Sequence, residues 1–184
     1  MPPTLDQARL RERYLAHLRA HPDGVYRSCV PDHLTASCLV LSPEADRVLL
    51  TLHAKARRWF QFGGHLEADD GSLAGAAGRE AREESGIAGL RLGPRPVQLA
   101  EHAVPFCGGT GRVHHLDVRF AAVAPAGARP AVSEESLDVR WWPVDALPDP
   151  EPDLVELVEL ARQSISAGVP ADGSVDSSVG GAST

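Results

Sequence analysis

The chain has 184 residues, 43% hydrophobic and 23% charged, enough for one domain of ordinary size with a real core plus extensions. Its 18 basic and 25 acidic side chains give a formal charge of −7 and a pI near 5.6, which excludes broad nucleic-acid binding, because that needs basic surface to neutralise phosphates. Three widely spaced cysteines (Cys29, Cys38, Cys107) form no CxxC pair, and no apolar run approaches the about 18 residues of a membrane span, so a reduced, cytoplasmic, non-membrane protein is expected.

The stretch before His21 is too rich in Arg and Glu for a signal peptide. Thr4 and Gln7 have capping-box spacing, and Leu10, Tyr14, Leu15 and Leu18 form an apolar stripe, predicting a helix that His21-Pro22-Asp23-Gly24 ends. Residues 34–41 and 47–52 read as strands joined by a turn at Ser42-Pro43-Glu44-Ala45-Asp46. Trp59–Phe62 reads as a short aromatic strand running into Gly63-Gly64, whose glycines permit backbone angles that other residues resist. A helix is predicted from near Gly71 or Ser72, with Leu73, Ala76, Ala77 and Ala81 as a close-packing face and Gly86 in the left-handed position after its end. Strands follow over about 95–103, 113–124 and 137–143. A last helix from Pro152 to about Ser166 carries Leu154, Leu157, Val158, Ala161 and Ile165 at helical spacing. From Ala167 onward the chain is small, polar and rich in Gly and Ser, which predicts disorder. Strands, one middle helix, more strands and a final helix point to a mixed sheet covered by helices.

Within the middle helix Glu80, Glu83 and Glu84 fall at i, i+3 and i+4 and project from one side. Such like charges repel unless a cation sits among them, and a hard divalent cation takes oxygen ligands from a few carboxylates. On spacing alone, a solvated face laced by Arg79 and Arg82 is the commoner outcome. The surrounding glycines change that balance. The run GGHLEADDGSLAGAAGREAREESGI, from Gly63 to Ile87, resembles the signature box of the Nudix hydrolases. Arg79 to Ile87 matches it position for position. In the first half Asp70 stands where the box has a glutamate, and the stretch from there to Arg79 is one residue longer. Asp69 or Asp70 suits the N-cap of the helix.

The resemblance implies a Nudix-type α/β/α sandwich, with a mixed β-sheet between helices, over residues 34–166. A helical extension (1–33) precedes it and a tail (167–184) follows. It implies a divalent-metal-dependent hydrolase that cleaves a diphosphate linkage in a nucleoside diphosphate joined to another moiety. Glu83 and Glu84 would ligate Mg²⁺ or Mn²⁺, with Glu80 a further ligand or the base, the Gly63 carbonyl facing the metal, and Arg79 orienting the neighbouring carboxylates. A further acid from outside the box commonly completes such sites. Glu134 and Glu135 are the first candidates and Glu101 a weaker one, each reading slightly better as an ordinary exposed loop glutamate. Homodimers are frequent in the family, and the N-terminal helix offers one surface for that.

Lys55, Arg57 and Arg58 suit either a diphosphate contact or a solvated turn. Trp59, Phe60 and Phe62 can stack on a base, although aromatics in a strand are more often core. His102, His114 and His115 match no usual zinc spacing and read as structural or surface histidines. Asp117 reads as a core-edge strand residue. The loop from Val104 to Arg112 is the place to choose a leaving group. Two rival functions remain: a catalytically silent module that senses a nucleotide, and an isoprenoid diphosphate isomerase, which needs a reactive cysteine near the site.

Overall fold

A computed structural model describes residues 4–30, 32–104, 113–133, 136–148 and 150–168. Strand β1 (Asp32–Leu41) and strand β7 (Val113–Val123) run parallel, in register from Asp32↔His114 to Leu41↔Val123, and form the spine of an eight-stranded mixed sheet. β1 is buried at every position, as expected of a strand covered on both faces.

Side chains alternate across this spine. Leu34, Ala36, Cys38 and Val40 of β1, with Leu116, Val118, Phe120 and Ala122 of β7, pack against Ala76, Ala77 and Ala81 of α2 (Leu73–Ser85). Leu39, Leu41 and Ala121 point the other way, to Leu154, Leu157, Val158 and Ala161 of α3 (Pro152–Gly168). Helices therefore flank both faces. Nearer the start of the spine the α3 side becomes polar. There Asp117 is buried and accepts from Thr35 Oγ1 at 3.1 Å, Ser37 Oγ at 2.8 Å and Arg119 Nε at 3.0 Å. Asp117 is thus the hub of a buried network, not a core-edge residue. Arg119 extends that network to Gln98 and to Asp153 in the first turn of α3.

Strand β2 (Arg47–His53) pairs β1 at Val40↔Leu49 and Leu41↔Val48, beside the turn where Ala45 takes φ 54°. Farther along, residues 59–65 enter between the two strands. The expected single aromatic strand is therefore two: β3 (Trp59–Phe60) pairs β2, and β4 (Phe62–His65) pairs β1. Strand β8 (Ser136–Pro143) covers the other edge of β2. The strand expected over 95–103 is β6 (Gln98–Val104), and a short strand that the sequence did not predict, β5 (Arg91–Leu92), precedes it; both are antiparallel to β7. Among the described residues no helix is long and apolar enough to cross a membrane.

Helix α1 (Leu5–Ala20) starts as expected, with Thr4 Oγ1 accepting from the Gln7 N–H at 3.3 Å. The Gln7 side chain does not complete a capping box. Its amide instead bonds Leu99 of β6 in both directions, at 3.0 and 2.7 Å, as a neighbouring strand would. Tyr14 enters the core on the α2 side, and its hydroxyl lies 2.7 Å from the Ala100 carbonyl and 3.3 Å from that of Asp117. Removing that hydroxyl in Tyr14→Phe is expected to cost about 1 kcal/mol. Removing the ring in Tyr14→Ala is expected to cost about 3–5 kcal/mol. Urea denaturation of the two variants measures both, and equal losses would mean that the ring is not packed as described.

Candidate active site

Strand β4 places Gly63 opposite Ser37 and Gly64 opposite Ala36. Both glycines are extended; among the described residues the glycines at positive φ are Gly86, Gly89 and Gly127. The need for glycine here is space, which corrects the expectation of unusual backbone angles. A Cβ on Gly63 would lie 2.8 Å from Ser37 Cα and 2.9 Å from the Ala36 carbonyl. A Cβ on Gly64 would lie 2.7 Å from Cδ of Glu80 and 3.0 Å from its Oε2. The strand can thus lie directly beneath the acids of α2.

That helix begins at Ser72, whose hydroxyl accepts from the Gly75 N–H at 3.0 Å, and it ends at Gly86 with φ 66°. Neither Asp69 nor Asp70 is the cap. Asp70 instead grips Arg79, accepting from Nε at 3.2 Å and Nη2 at 2.9 Å, and it also accepts the Glu67 N–H at 2.9 Å. The extra residue in this loop is accommodated with that ion pair formed. The Arg79 guanidinium also donates to Glu80 Oε1, Glu83 Oε2 and the His65 carbonyl, each at 3.1 Å. One cation therefore ties the loop to two of the three acids and relieves the repulsion along the helix face. Its hydrogen bonds hold the Asp70 carboxyl below the ordinary aspartate value against the opposing effect of burial, and those same bonds raise the pKa of Arg79. Glu84 turns to the strand, where its Oε1 accepts the Gly63 N–H at 3.0 Å.

These groups line one open cleft of about 390 Å³, in which Glu80, Glu83 and Glu84 face Gly63 and Gly64. Carboxylate oxygens beside exposed strand backbone are the donor set that a hard divalent cation takes.

The NUDIX domain family model matches residues 31–161. The chain belongs to the NUDIX domain family. Membership makes it a pyrophosphohydrolase-type enzyme, and hydrolases of this family use divalent metals, which the donor set fits. Similar solved structures include a Nudix-family hydrolase from Clostridium perfringens, 21% identical, with a TM-score of 0.56 over 73% of this chain and 97% of that one. An Ap4A hydrolase binary complex from C. elegans is 15% identical, with a TM-score of 0.60 over 73% and 98%. A UDP-X diphosphatase is 15% identical, with a TM-score of 0.56 over 85% and 71%. At such identities these likenesses establish the Nudix fold. No curated protein matches the sequence.

The cleft gathers Gly63, Arg79, Glu80, Glu83 and Glu84 as the box spacing anticipated. Lys55, Arg57, Arg58 and Trp59 are not among its lining residues. Arg57 sits at φ 57° in the β2–β3 turn, and Arg58 pairs with Glu151 just before α3. Trp59 packs edge-on against Trp142 at 5.2 Å, with the Arg140 guanidinium about 6 Å from both rings. Phe62 is buried beneath α2, and Phe60 meets the edge of His53. Glu101 pairs with Arg13 of α1 at 3.1 Å, away from the cleft lining. His102 contacts Arg119, and His114 contacts Asp32. Glu134, Glu135, Cys107 and residues 105–112 lie outside the described residues. Cys38 is buried in the core, where desolvation pushes its thiol up to about 12, the reverse of what a reactive cysteine needs. His65 and Glu67 of the box, Ser133, and Arg27 from the α1–β1 connection also line the cleft, and the sequence flagged none of them as site residues. A lone exposed arginine ahead of the first strand carries no motif.

The two glycines separate stability from activity. Gly63→Ala pushes a methyl into strand backbone and is expected to cost about 1–3 kcal/mol. Gly64→Ala meets the movable end of Glu80 instead. It should stay near wild-type stability while displacing that carboxylate, lowering kcat by about a hundredfold. Thermal melts and kinetics on both variants check this; normal turnover in Gly64→Ala would contradict it.

The Arg79–Asp70 pair is sheltered, with side chains 19% and 8% exposed. Asp70→Asn is expected to cost about 2 kcal/mol. In a chain of this size that lowers Tm by about 4–8 °C. Because the folded-state pKa of Asp70 is depressed, its contribution is complete above the ordinary value of 3.8 and is lost as pH falls through the lower folded value. Melts across pH should show the wild-type advantage at neutrality and its closure in acid.

Proposed function

We propose that the enzyme hydrolyses a diphosphate linkage in a nucleoside diphosphate joined to another moiety. In this reading Glu83, Glu84 and the Gly63 carbonyl hold Mg²⁺ or Mn²⁺. The observation that carries it is the gathering of Glu80, Glu83 and Glu84 over Gly63-Gly64 around one cleft, with Arg79 spanning the acids. A bound divalent ion offsets phosphate charge and acidifies a water. Arg79 holds Glu80 and Glu83 together, and Glu80, which stands against Gly64, would serve as a further ligand or as the base that takes a proton from water. The chain as a whole is acidic, so a polyanionic substrate depends on local cations. Arg27 at the cleft supplies one for a phosphate oxygen. The names of two similar structures, an Ap4A hydrolase and a UDP-X diphosphatase, support a nucleotide-linked substrate. An intact acid cluster favours turnover over silent sensing.

The test is a panel of nucleoside diphosphate derivatives with Mg²⁺ or Mn²⁺, the products being resolved by chromatography. A monophosphate product is expected. A Glu83→Gln, Glu84→Gln double variant should lose about 10²–10⁴-fold in kcat/KM. Unchanged turnover in that variant would remove the assignment, and tight binding with no turnover under either metal would favour a sensing module. For Glu80→Gln the pH–rate profile separates the two roles: losing a base flattens the acidic limb, whereas losing a ligand raises the metal requirement.

A further inference from the structure

Three histidines that lie far apart in the chain meet on the sheet. His33 of β1 stands opposite His115 of β7 in the parallel pair. His65 of β4 stands opposite Thr35, two positions on from His33 and so on the same side of the sheet. This is the side opposite α2, since the intervening Leu34 and Ala36 belong to the α2 core. The three ring centroids are 5.1, 5.0 and 4.9 Å apart, and one ligand nitrogen from each ring lies within 4.8 Å of the other two. His33 is buried, and His65 and His115 are half-buried.

The hydrogen bonding around His33 has a direction. Its Nδ1 lies 3.2 Å from the Cys29 carbonyl, which can only accept, so the proton of neutral His33 is on Nδ1. The Nε2 lone pair then faces His65 Nε2 at 3.1 Å. A backbone carbonyl orienting the far nitrogen of an imidazole is the arrangement found behind metal-ligating histidines. In a tetrahedral site with metal–nitrogen bonds of about 2.0–2.1 Å, neighbouring nitrogens are about 3.3 Å apart, close to this contact.

We propose that His33, His65 and His115 form a three-imidazole site for a transition-metal dication of the Zn²⁺, Co²⁺ or Ni²⁺ class, on the sheet face opposite the α2 carboxylates, with His65 also lining the carboxylate cleft. Imidazole nitrogens select such ions, whereas Mg²⁺ takes oxygen ligands. Three protein ligands leave a fourth position for water or an anionic oxygen. A bound ion clamps β1, β4 and β7 together, and β4 is the strand that carries Gly63-Gly64. A second group, His21, Asp23 and Cys29, lies on the α1–β1 connection and is the competitor that the experiment must separate.

The full chain, stripped of metal by a chelator and dialysed, is titrated with Co²⁺. The proposal expects one equivalent bound with the visible bands of a low-coordinate nitrogen site, displaced by Zn²⁺ and undisturbed by excess Mg²⁺, with Tm rising as Zn²⁺ is added. His115→Asn and His65→Asn should each weaken binding by at least about tenfold. Cys29→Ser and the Glu83→Gln, Glu84→Gln double variant should bind as the wild type does. X-ray absorption of the Zn²⁺-loaded wild type, expected to report nitrogen ligands without sulfur, decides the matter even if a histidine variant fails to fold. No stoichiometric Co²⁺ binding, a thiolate-to-cobalt band lost in Cys29→Ser, binding unchanged in both histidine variants, or binding lost in the double glutamate variant would each overturn it.

Discussion

The repulsion among three carboxylates on one helix face is the constraint around which this molecule is arranged. Helix α2 tolerates its three acids because Arg79, itself held by Asp70 and by the His65 carbonyl, reaches across Glu80 and Glu83, while Glu84 accepts from the Gly63 N–H. Arg79 and Asp70 are both sheltered from water, so their attraction is screened less than that of a surface pair. Without that cation the acids would repel one another and spread apart, and the cleft would lose its charge pattern. Arg79 therefore acts on the site through the groups it positions.

The spine of β1 and β7 supports this arrangement from below. Small side chains, Ala76, Ala77 and Ala81, let α2 sit close on the sheet; Gly64 lets β4 lie close under Glu80 of α2, and Gly63 lets it lie close against β1. The opposite side is organised differently. It is apolar beneath α3, then polar where Thr35, Ser37, Asp117 and Arg119 satisfy one another, and then lined by histidines. Buried polar groups so fully paired are rigid, because each donor that moves would leave an acceptor unmade. β4 touches both sides, with Gly64 facing the acids and His65 facing the histidine group.

Much of this was legible in the chain. Alternation and helical spacing marked β1, β2, β7, β8 and all three helices to within a few residues, because each buries one continuous apolar face. The box marked Arg79, Glu80, Glu83, Glu84 and Gly63, which share a cleft because they sit on one helix and the strand just before it. Legibility failed where a side chain had two local options and a distant partner decided between them. Asp70 has the chemistry of a helix cap, but Arg79 lies within its reach and Ser72 takes the cap. Gln7 could close a capping box, but the unpaired edge of β6 offers it two bonds instead of one.

Local pattern, then, determined the helices, the long strands and the acid face of α2, since these depend on neighbours within a turn or a strand, while the family of the fold came from the resemblance of the box. Tertiary structure decided what depends on chain crossings. It divided the aromatic strand in two because β1 and β2 separate, it brought Arg27 to the cleft, and it withdrew Trp59 to Trp142 and Arg58 to Glu151. It also assembled His33, His65 and His115, which no linear spacing announces, because strands far apart in sequence place their side chains side by side only once the sheet's register is set.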